Sequence, residues 1–338
     1  MDRVMVYDMI YALTARDGRE KILFGNSAAA GHEAFARSIT GEVFPEMWFE
    51  LPLLGEPWFD VHVPAEYYDV AGKQVSYPGQ GGVYAKALEW FAAQPEHTVR
   101  QLFLSYDSST GDLDHPAVQL LLNGPGTSVP HAFLEAVDRA DLCDAYSTFV
   151  GRLPSSWYAC YVGVFPARVG REGSPWLRIE CLVVSEERKR VYAEDAEALR
   201  KDLERTGLSC VNDELLEYIQ AFARTSFDLE FQFNVDEQGR ALPILGVSMR
   251  FVASTWTDGS NMLELARLMA QVQEWGLADD RWHALAQTIF AKRVSYKDES
   301  IKIYCFPAFV KFRWREGELL DAKSYLLIGA DEQTLSGD

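Results

Sequence analysis

Apolar and polar residues alternate strictly along residues 226–252, whose sequence is SFDLEFQFNVDEQGRALPILGVSMRFV. Every second position from Phe227 to Val235 is a large apolar residue, and carboxylates and amides stand at the positions between them. Because successive side chains of a strand point to opposite faces, this pattern predicts a strand with one apolar face and one acidic face. The DEQG segment that follows predicts a turn, so the whole stretch is expected to form a hairpin.

Four other pairs of segments show the same alternation, and a turn-forming segment links the two members of each pair. They are MWFELPL (47–53) with PWFDVHV (57–63), RQLFLSYD (100–107) with PAVQLLLN (116–123), SSWYACYVGVF (155–165) with PWLRIECLVV (175–184), and SIKIYCFPAFV (300–310) with LDAKSYLLI (320–328). The sequence therefore predicts five hairpins, which supply ten antiparallel strands.

The segments between the hairpins have apolar residues three and four positions apart, which is the spacing of an amphipathic helix. They are GGVYAKALEWFAAQ (81–94), PHAFLEAVDRADLCDAYSTF (130–149), SEERKRVYAEDAEALRKDLERTG (185–207), NDELLEYIQAFART (212–225), GSNMLELARLMAQVQEWG (259–276) and DDRWHALAQTIFAK (279–292). Ser185 is expected to cap the start of its helix, and Gly207 and Gly276 are expected to end theirs in the left-handed conformation.

The elements follow the order helix, strand, strand, helix, repeated about five times, and no low-complexity linker divides the chain. A sheet with helices on both faces would show continuous apolar runs, so the helices are expected on one face only. The other face is either open to water or rolled inward, and its aromatic side chains favour closure. The predicted fold class is therefore α+β: a ten-stranded antiparallel β-barrel built from five α-β-β-α repeats with the helices outside, in a single domain, 1–338.

The strand positions that face away from the helices form the predicted wall of the barrel lumen, because residues of the same alternation phase share a face. They are Trp48, Glu50, Trp58, Asp60, His62, Gln119, Arg178, Glu180, Asp228, Glu230, Ser248, Arg250, Lys302, Tyr304, Lys323 and Tyr325. More of these side chains are acidic than basic, so the predicted lumen is not plainly cationic. Ten strands enclose more space than side chains alone fill, which leaves room for a small molecule.

Composition narrows the possible partners. Fifty acidic and 32 basic residues among 338 give a formal net charge of -18, which repels nucleic acid and anionic membranes. The five cysteines are scattered and never form a CxxC pair, so neither a zinc site nor a disulfide framework is predicted, as expected in a reducing cytoplasm. We find no export signal and no apolar run of membrane-spanning length. A cytoplasmic protein without nucleic-acid or membrane partners is expected.

The five tandem helix-strand-strand-helix units resemble the aromatic prenyltransferases of the ABBA or PT-barrel fold, which include the indole enzymes and the cyanobactin peptide enzymes. The resemblance lies in the order of the elements along nearly the whole chain. In that family an allylic diphosphate lies in the barrel with its oxygens held by lysines and arginines from several strands. Tyrosines shield the allylic cation, and an aromatic acceptor stacks beside it.

The resemblance implies roles for individual residues. FELPL resembles the strand on which indole prenyltransferases carry a glutamate base, which implies Glu50 as the catalytic residue. IKIYCFP resembles a basic-x-basic-x-Tyr strand, which implies that Lys302 and Tyr304 bind the diphosphate, although Ser300 replaces the first basic residue. DAKSYLL similarly implies Lys323 and Tyr325. The other substrate-binding residues expected in the lumen are Arg178, Arg250, Trp48, Trp58, Asp60 and Glu230.

The chain also departs from the family pattern. Gln119 stands where the family usually has a lysine, and Asp60 and His62 stand where indole enzymes have an arginine. No metal ligands are predicted, but a divalent cation such as Mg²⁺ could bridge a diphosphate to the lumen carboxylates. His62 could serve as a proton shuttle, as half of a metal site, or as an ordinary hydrogen-bonded histidine.

Three functions therefore stay open. The first is a prenyltransferase-like enzyme that uses an allylic diphosphate and an aromatic or peptide acceptor in natural-product biosynthesis. The second is a protein of the same fold that binds or tailors a ribosomally made peptide without a prenyl diphosphate. The third is non-catalytic binding of an aromatic ligand. Fold alone does not decide among them.

Overall fold

The computed structural model describes residues 4–5, 23, 34–40, 42–43, 46–65, 76–79, 82–95, 99, 101–107, 114–166, 177–250, 260–296 and 299–332. The strands are β1 (Val4–Met5), β2 (Glu42–Val43), β3 (Glu46–Pro52), β4 (Asp60–Ala65), β5 (Gln101–Asp107), β6 (Ala117–Leu121), β7 (Trp157–Val164), β8 (Leu177–Val183), β9 (Asp228–Val235), β10 (Ala241–Arg250), β11 (Phe290–Tyr296), β12 (Glu299–Arg315) and β13 (Glu318–Glu332). The helices are α1 (Gly82–Ala92), α2 (Ser128–Ala136), α3 (Cys143–Val150), α4 (Glu186–Glu194), α5 (Ala196–Arg205), α6 (Asp213–Ala223) and α7 (Ser260–Glu274), with 3₁₀ segments at Ala140–Leu142 and Asp280–Thr288.

Ten strands close into a barrel. Strands β3 to β10 are hydrogen-bonded in sequence order, β10 then pairs with β12, β12 with β13, and β13 returns to β3. Every pairing is antiparallel, and each of the five predicted hairpins supplies two neighbouring strands. The prediction of a closed ten-stranded antiparallel barrel is confirmed.

The long strand β12 closes the barrel. Halfway along it, the set of alternate residues that faces the core changes. Its first half pairs with β11 and its second half with β10, while β13 runs along both halves. A register shift between Pro307 and Phe309 inserts one extra residue. Ile301, Ile303 and Cys305 therefore lie in the main core before this bulge, and Val310, Phe312 and Trp314 lie there after it.

The helices cover the outer face of the barrel, and the main hydrophobic core lies between the two layers. On β9, Phe231 and Phe233 point outward, and the ring of Phe233 lies 5.1 Å from that of Phe149 on α3. On β12, Phe312 meets Phe222 of α6 with ring centroids 5.1 Å apart. The apolar face read from residues 226–235 is thus the helix-facing side of the wall.

Three predicted helical segments differ from the structure. Residues 130–149 divide into α2 and α3 around Asp138, which has a φ of 58° and so cannot continue a helix. Residues 185–207 divide at Asp195, whose side chain accepts hydrogen bonds from the first turn of α5. The prediction of a helix over 279–292 was wrong, because this segment forms a 3₁₀ segment followed by β11.

The predicted helix ends are present where they were expected. Ser185 Oγ accepts a hydrogen bond from the backbone N–H of Arg188. Gly207 and Gly276 have φ values of 90° and 76° after α5 and α7. In the described part of the chain, no helix combines the length and the apolar character that crossing a membrane requires.

The turn of the β9–β10 hairpin packs directly on α3, which yields a prediction about stability. Gly239 has a φ of 71°, and a Cβ there would lie 2.6 Å from the carbonyl oxygen of Ala145 and 2.8 Å from Cβ of Thr148. Gly276 has nearly the same φ but open space around the same position. We expect Gly276→Ala to cost about 1 kcal/mol from backbone strain. Gly239→Ala should cost about 1–3 kcal/mol more, because backbone and side chain must move.

Urea denaturation of the two variants measures the difference. Equal losses of unfolding free energy would contradict the packing of the β9–β10 turn against α3.

Candidate active site

The barrel lumen contains a cavity of about 920 Å³, including the part open to solvent. Its wall is formed by side chains from all ten barrel strands and from the residue that follows β7. They are Trp48, Glu50, His62, Phe103, Ser105, Gln119, Tyr161, Phe165, Arg178, Glu180, Glu230, Gln232, Ser248, Phe309, Lys311, Arg313, Lys323 and Tyr325. The polar face read from residues 226–235 therefore looks into this cavity, through Glu230 and Gln232.

The structure brings some of the predicted site residues together. Those that line the cavity are Trp48, Glu50, Arg178, Glu230, Lys323 and Tyr325. Trp58, Asp60, Arg250, Lys302 and Tyr304 are not among the lining residues.

The predicted residues outside the cavity wall divide into two groups. Trp58, Asp60 and Arg250 are neighbours of lining residues. The Nζ of Lys323 lies 4.6 Å from the ring centre of Trp58, Asp60 is the cross-strand partner of Glu50, and Nη1 of Arg250 lies 3.9 Å from Oε1 of Glu230. Lys302 and Tyr304 lie on the half of β12 that pairs with β11. The Tyr304 hydroxyl donates to Oε1 of Glu46 at 3.2 Å.

Two cationic lumen residues, Lys311 and Arg313, were missed by the sequence analysis. The bulge in β12 moves the outward, core-packed positions from odd numbers before it to even numbers after it, so extending the alternation of Lys302 and Tyr304 would point Lys311 and Arg313 outward. A proline inside a strand pattern is itself a signal of a bulge, because it cannot donate to the ladder. Pro307 could have been interpreted in this way.

Glu50 lies in a network that holds its carboxylate in the ionised form. Lys323 Nζ contacts Oε1, the Tyr325 hydroxyl donates to Oε2 at 2.6 Å, and His62 Nε2 lies 3.3 Å from Oε2. Burial alone would raise the pKa of Glu50, but the charge of Lys323 opposes this, and His62 and Lys311 add to the effect. Together they hold the pKa of this carboxyl well below its usual range.

The second ring nitrogen of His62, Nδ1, also has a partner, which orients the ring. Because the Glu50 carboxylate can only accept, Nε2 of His62 carries the proton between them. His62 Nδ1 lies 2.7 Å from Oγ of Ser105, and Gln119 Nε2 donates to the same hydroxyl at 2.8 Å. Gln119 thus positions the chain of groups that leads to Glu50.

Lys311 is deeply buried at the centre of the wall. It is 7% exposed, and its Nζ donates to Oε1 of Gln232 at 2.6 Å, while Gln232 donates in turn to Glu180. Burial lowers the pKa of Lys311 to about 8, with Arg178 and Lys323 lowering it further and Glu180 and Glu50 opposing them. Gly246 provides the space, because a Cβ there would lie 2.8 Å from Cε of Lys311.

Glu230 has the opposite environment to Glu50. It is 3% exposed, and the nearest charged partner is Nη1 of Arg250 at 3.9 Å from Oε1. Burial raises the pKa of Glu230 to about 8, and the charges of Glu180 and Asp228 raise it further while Arg250 and Lys311 oppose them. At neutral pH this carboxyl is mostly protonated.

The charge balance of the lumen therefore differs from the one expected from the sequence. The basic side chains of the wall are Arg178, Lys311, Arg313 and Lys323, and the acidic ones are Glu50, Glu180 and Glu230. Since Glu230 is mostly neutral at pH 7, the described lining residues carry a net positive charge, although the whole chain has a formal charge of -18. The expectation of a lumen that is not plainly cationic was wrong, because it omitted Lys311 and Arg313.

Aromatic rings form the part of the wall beside the cations. Trp48 and Phe103 meet edge to face at 5.0 Å, and Phe103 continues to Tyr161 at 5.9 Å. Tyr325 meets Phe309 edge to face at 5.9 Å and stacks on His62 at 5.8 Å. A flat aromatic molecule could stack on these rings while an anion meets the cations.

The donor groups do not favour a metal ion held by the protein alone. Within the described ranges, no three His, Cys, Asp or Glu side chains are grouped closely enough to bind one. Of the lumen carboxylates, Glu50 and Glu180 are already engaged by neighbouring side chains and Glu230 is mostly protonated at neutral pH.

The fold and the cavity together define a PT-barrel: a closed antiparallel barrel with helices outside and a polar, aromatic lumen. A solved structure of 6-dimethylallyltryptophan synthase from Micromonospora olivasterospora in complex with DMASPP and Trp superposes with a TM-score of 0.53 at 12% identity, covering 96% of this chain and 97% of that chain. The 5-dimethylallyltryptophan synthase from Streptomyces coelicolor superposes with a TM-score of 0.55 at 11% identity, covering 97% and 98%. No protein-family model and no curated protein sequence matches the chain.

The contrast between the two lumen glutamates yields a prediction about stability. The pKa of folded Glu230 is about 8, above its ordinary value of 4.5, so the folded chain binds more protons than the unfolded chain in this pH window and its stability falls as pH rises through it. Glu230→Gln removes this loss. The stability of the variant relative to the wild type should rise by up to about 1.4 kcal/mol for each pH unit in the window.

Glu50→Gln is the matched control for this measurement. The pKa of Glu50 is lowered, so its contribution to stability is fully present above 4.5 and is lost only as pH falls through the folded-state pKa. This variant should be less stable than the wild type across the same window and should not show the gain with rising pH that is expected for Glu230→Gln. Urea denaturation over the pH series tests both variants, and a constant difference for Glu230→Gln would contradict the environment described for Glu230.

Proposed function

We propose that this chain transfers a prenyl group from an allylic diphosphate to an aromatic acceptor inside the barrel. The observation that carries the proposal is the convergence of Arg178, Lys311 and Lys323 on a lumen that is also walled with aromatic rings. Lys311 and Lys323 are direct cross-strand partners on β12 and β13. The titration of Lys311 responds to both other cations, so their charges act on one common region.

A diphosphate suits this region better than other small anions. It carries several negative oxygens, and convergent ammonium and guanidinium groups bind such oxygens through charge-assisted hydrogen bonds. Without an anion, the three cations repel one another in a buried place, and the lowered pKa of Lys311 reflects part of that cost. A bound diphosphate would relieve it.

The same arrangement suits the transfer step. The carbon–oxygen bond of the allylic diphosphate breaks, and diphosphate leaves with the electron pair toward Arg178, Lys311 and Lys323. Preplaced positive charge stabilises the leaving group as its charge develops. The allylic cation that remains is flanked by π-electrons of rings such as Tyr325 and Phe309, and a π-electron pair of the acceptor ring forms the new carbon–carbon bond. Loss of the ring proton then restores aromaticity.

The nature of the acceptor is part of this proposal. The solved structure from Micromonospora olivasterospora contains Trp, which supports an aromatic acceptor of similar size. An aromatic residue of a ribosomally made peptide, and a place in natural-product biosynthesis, follow from the family resemblance of the sequence and are proposed on that ground. The roles of Lys302 and Tyr304 on the diphosphate, and of Glu50 as the base, stay predictions.

Donor binding is the direct test of the proposal. Calorimetric titration of the wild type with a non-hydrolysable allylic diphosphate, with and without magnesium, should give measurable heat. Lys311→Met keeps the volume of the side chain and removes its charge. It should weaken binding by about 1.5–3 kcal/mol, the contribution of one hydrogen bond to a charged group.

Two further variants make the result specific. Lys201→Met on the exposed side of α5 is the surface control and should leave the affinity unchanged. Lys302→Met tests the assignment made from the sequence, and its effect should be smaller than that of Lys311→Met because Lys302 does not line the cavity. No heat with the wild type would remove the prenyl-transfer proposal and favour peptide binding without a diphosphate.

A further inference from the structure

Two lumen carboxylates flank the cations from opposite sides. Glu50 on β3 adjoins Lys323 through the neighbouring strand β13, and Glu230 on β9 adjoins Lys311 through β10. We propose that Glu230, and not Glu50, accepts the proton that the aromatic acceptor loses, an inference that rests on the proposed function. Glu50 then acts as a positioning residue, which holds Lys323 and Tyr325.

Both oxygens of Glu50 are already engaged by neighbouring donors. Lys323 occupies Oε1, and the Tyr325 hydroxyl and His62 Nε2 share Oε2. Protonating this carboxylate would break at least one of these contacts and leave a cation or a buried donor without its partner. Its chemistry is that of a fixed counter-ion.

The carboxyl group of Glu230, unlike that of Glu50, is not engaged by hydrogen bonds from neighbouring side chains that the structure describes. It lines the cavity and is 3% exposed, yet its side chain makes no hydrogen bond to any residue in the described ranges. Arg250 at 3.9 Å is its one ion pair there, too long for a hydrogen bond. The carboxyl oxygens are thus available to a group inside the cavity.

The position of Glu230 matches the path of the reaction. Ser248 is the cross-strand partner of both Glu230 and Lys311, so these two side chains lie in one row, two strand spacings apart. Two spacings amount to about 10 Å, enough for an aromatic ring to lie between the proton acceptor and the leaving group. Tyr161 on one side and Phe309 beneath Arg250 on the other supply the aromatic surfaces near that row.

Glu230 and the acceptor ring account for the proton and the electron pair of this step. After the new carbon–carbon bond forms, the ring carbon still carries its hydrogen. The ionised carboxylate of Glu230 takes that proton, the carbon–hydrogen electron pair returns to the ring, and the products are prenylated acceptor, neutral Glu230 and free diphosphate. Deprotonation of Glu230 by solvent resets the site.

The surroundings of Glu230 decide how the step depends on pH. The ionisable groups that face it are Cys160 and Tyr161 from β7, Glu180 from β8, Asp228 from β9, Arg250 from β10 and Lys311 from β12. Burial and the Glu180 charge hold its pKa at about 8, so its basic form increases as pH rises to that value. Glu50, with a lowered pKa, is ionised throughout the neutral range and would give no such rise.

The test is a pH–rate profile with dimethylallyl diphosphate as donor and tryptophan, tyrosine and a dihydroxynaphthalene as acceptors. The donor is kept saturating, because Lys311 also titrates near pH 8 and would otherwise alter donor binding. For the wild type, kcat should rise about tenfold per pH unit on the acid side and level off near pH 8. Glu230→Gln should lower kcat by about 10²–10⁴-fold and abolish the rise.

Two matched variants separate a proton acceptor from a structural role. Glu180→Gln removes the neighbouring charge, so the rise of kcat should move to lower pH, whatever the change in the maximal rate. Glu50→Gln should keep the rise, because the proton acceptor is intact. Calorimetric titration with the unreactive donor analogue verifies that each variant still binds the donor.

The outcomes are distinguishable. Wild-type activity together with an active Glu230→Gln variant of unchanged profile, or a flat wild-type profile with Glu50→Gln inactive, would overturn the assignment of Glu230 and leave the proposed function intact. Absence of product from the wild type with every acceptor would overturn the proposed function and the assignment with it.

Discussion

Closure of the barrel through β12 is the constraint on which the rest of the structure depends. This strand pairs with β13 along both halves, with β11 at its start and with β10 at its end, so one strand both seals the ring and extends its wall. The bulge after Pro307 lets the outward apolar residues stay in the core on both halves. It also turns Lys311 and Arg313 inward, which supply two of the four cations among the described lining residues.

The electrostatics of the lumen follow from that closure. Burying a cation costs desolvation energy, which hydrogen bonds and nearby carboxylates must offset. The cations of the lumen differ in how fully their partners do so. Lys323 is paired with the carboxylate of Glu50 and Arg313 with that of Asp321, whereas Lys311 donates to a neutral amide, that of Gln232. Lys311 is thus the cation with the most to gain from an incoming anion. A chain that is strongly acidic overall thereby keeps an anion-attracting interior.

The sequence predicted the barrel because alternation along five hairpins is strong and repeated. It also placed Glu50, Lys323 and Tyr325 together, since all three occupy the inward phase of strands with a regular register. It failed where the period breaks: the bulge concealed Lys311, and the strand β11 was read as helix. No sequence pattern distinguishes the environments of Glu50 and Glu230, because burial and partners arise from strands far apart in the chain. That residues 1–338 form one domain stays a prediction.

The most direct measurement of the central claim is a crystal structure with an unreactive allylic diphosphate analogue bound. We predict that diphosphate oxygens contact the Nζ atoms of Lys311 and Lys323 and the guanidinium of Arg178, with the allyl group against the aromatic wall near Tyr325. Binding of the analogue outside the lumen, or a lumen without it at a saturating concentration, would contradict the account.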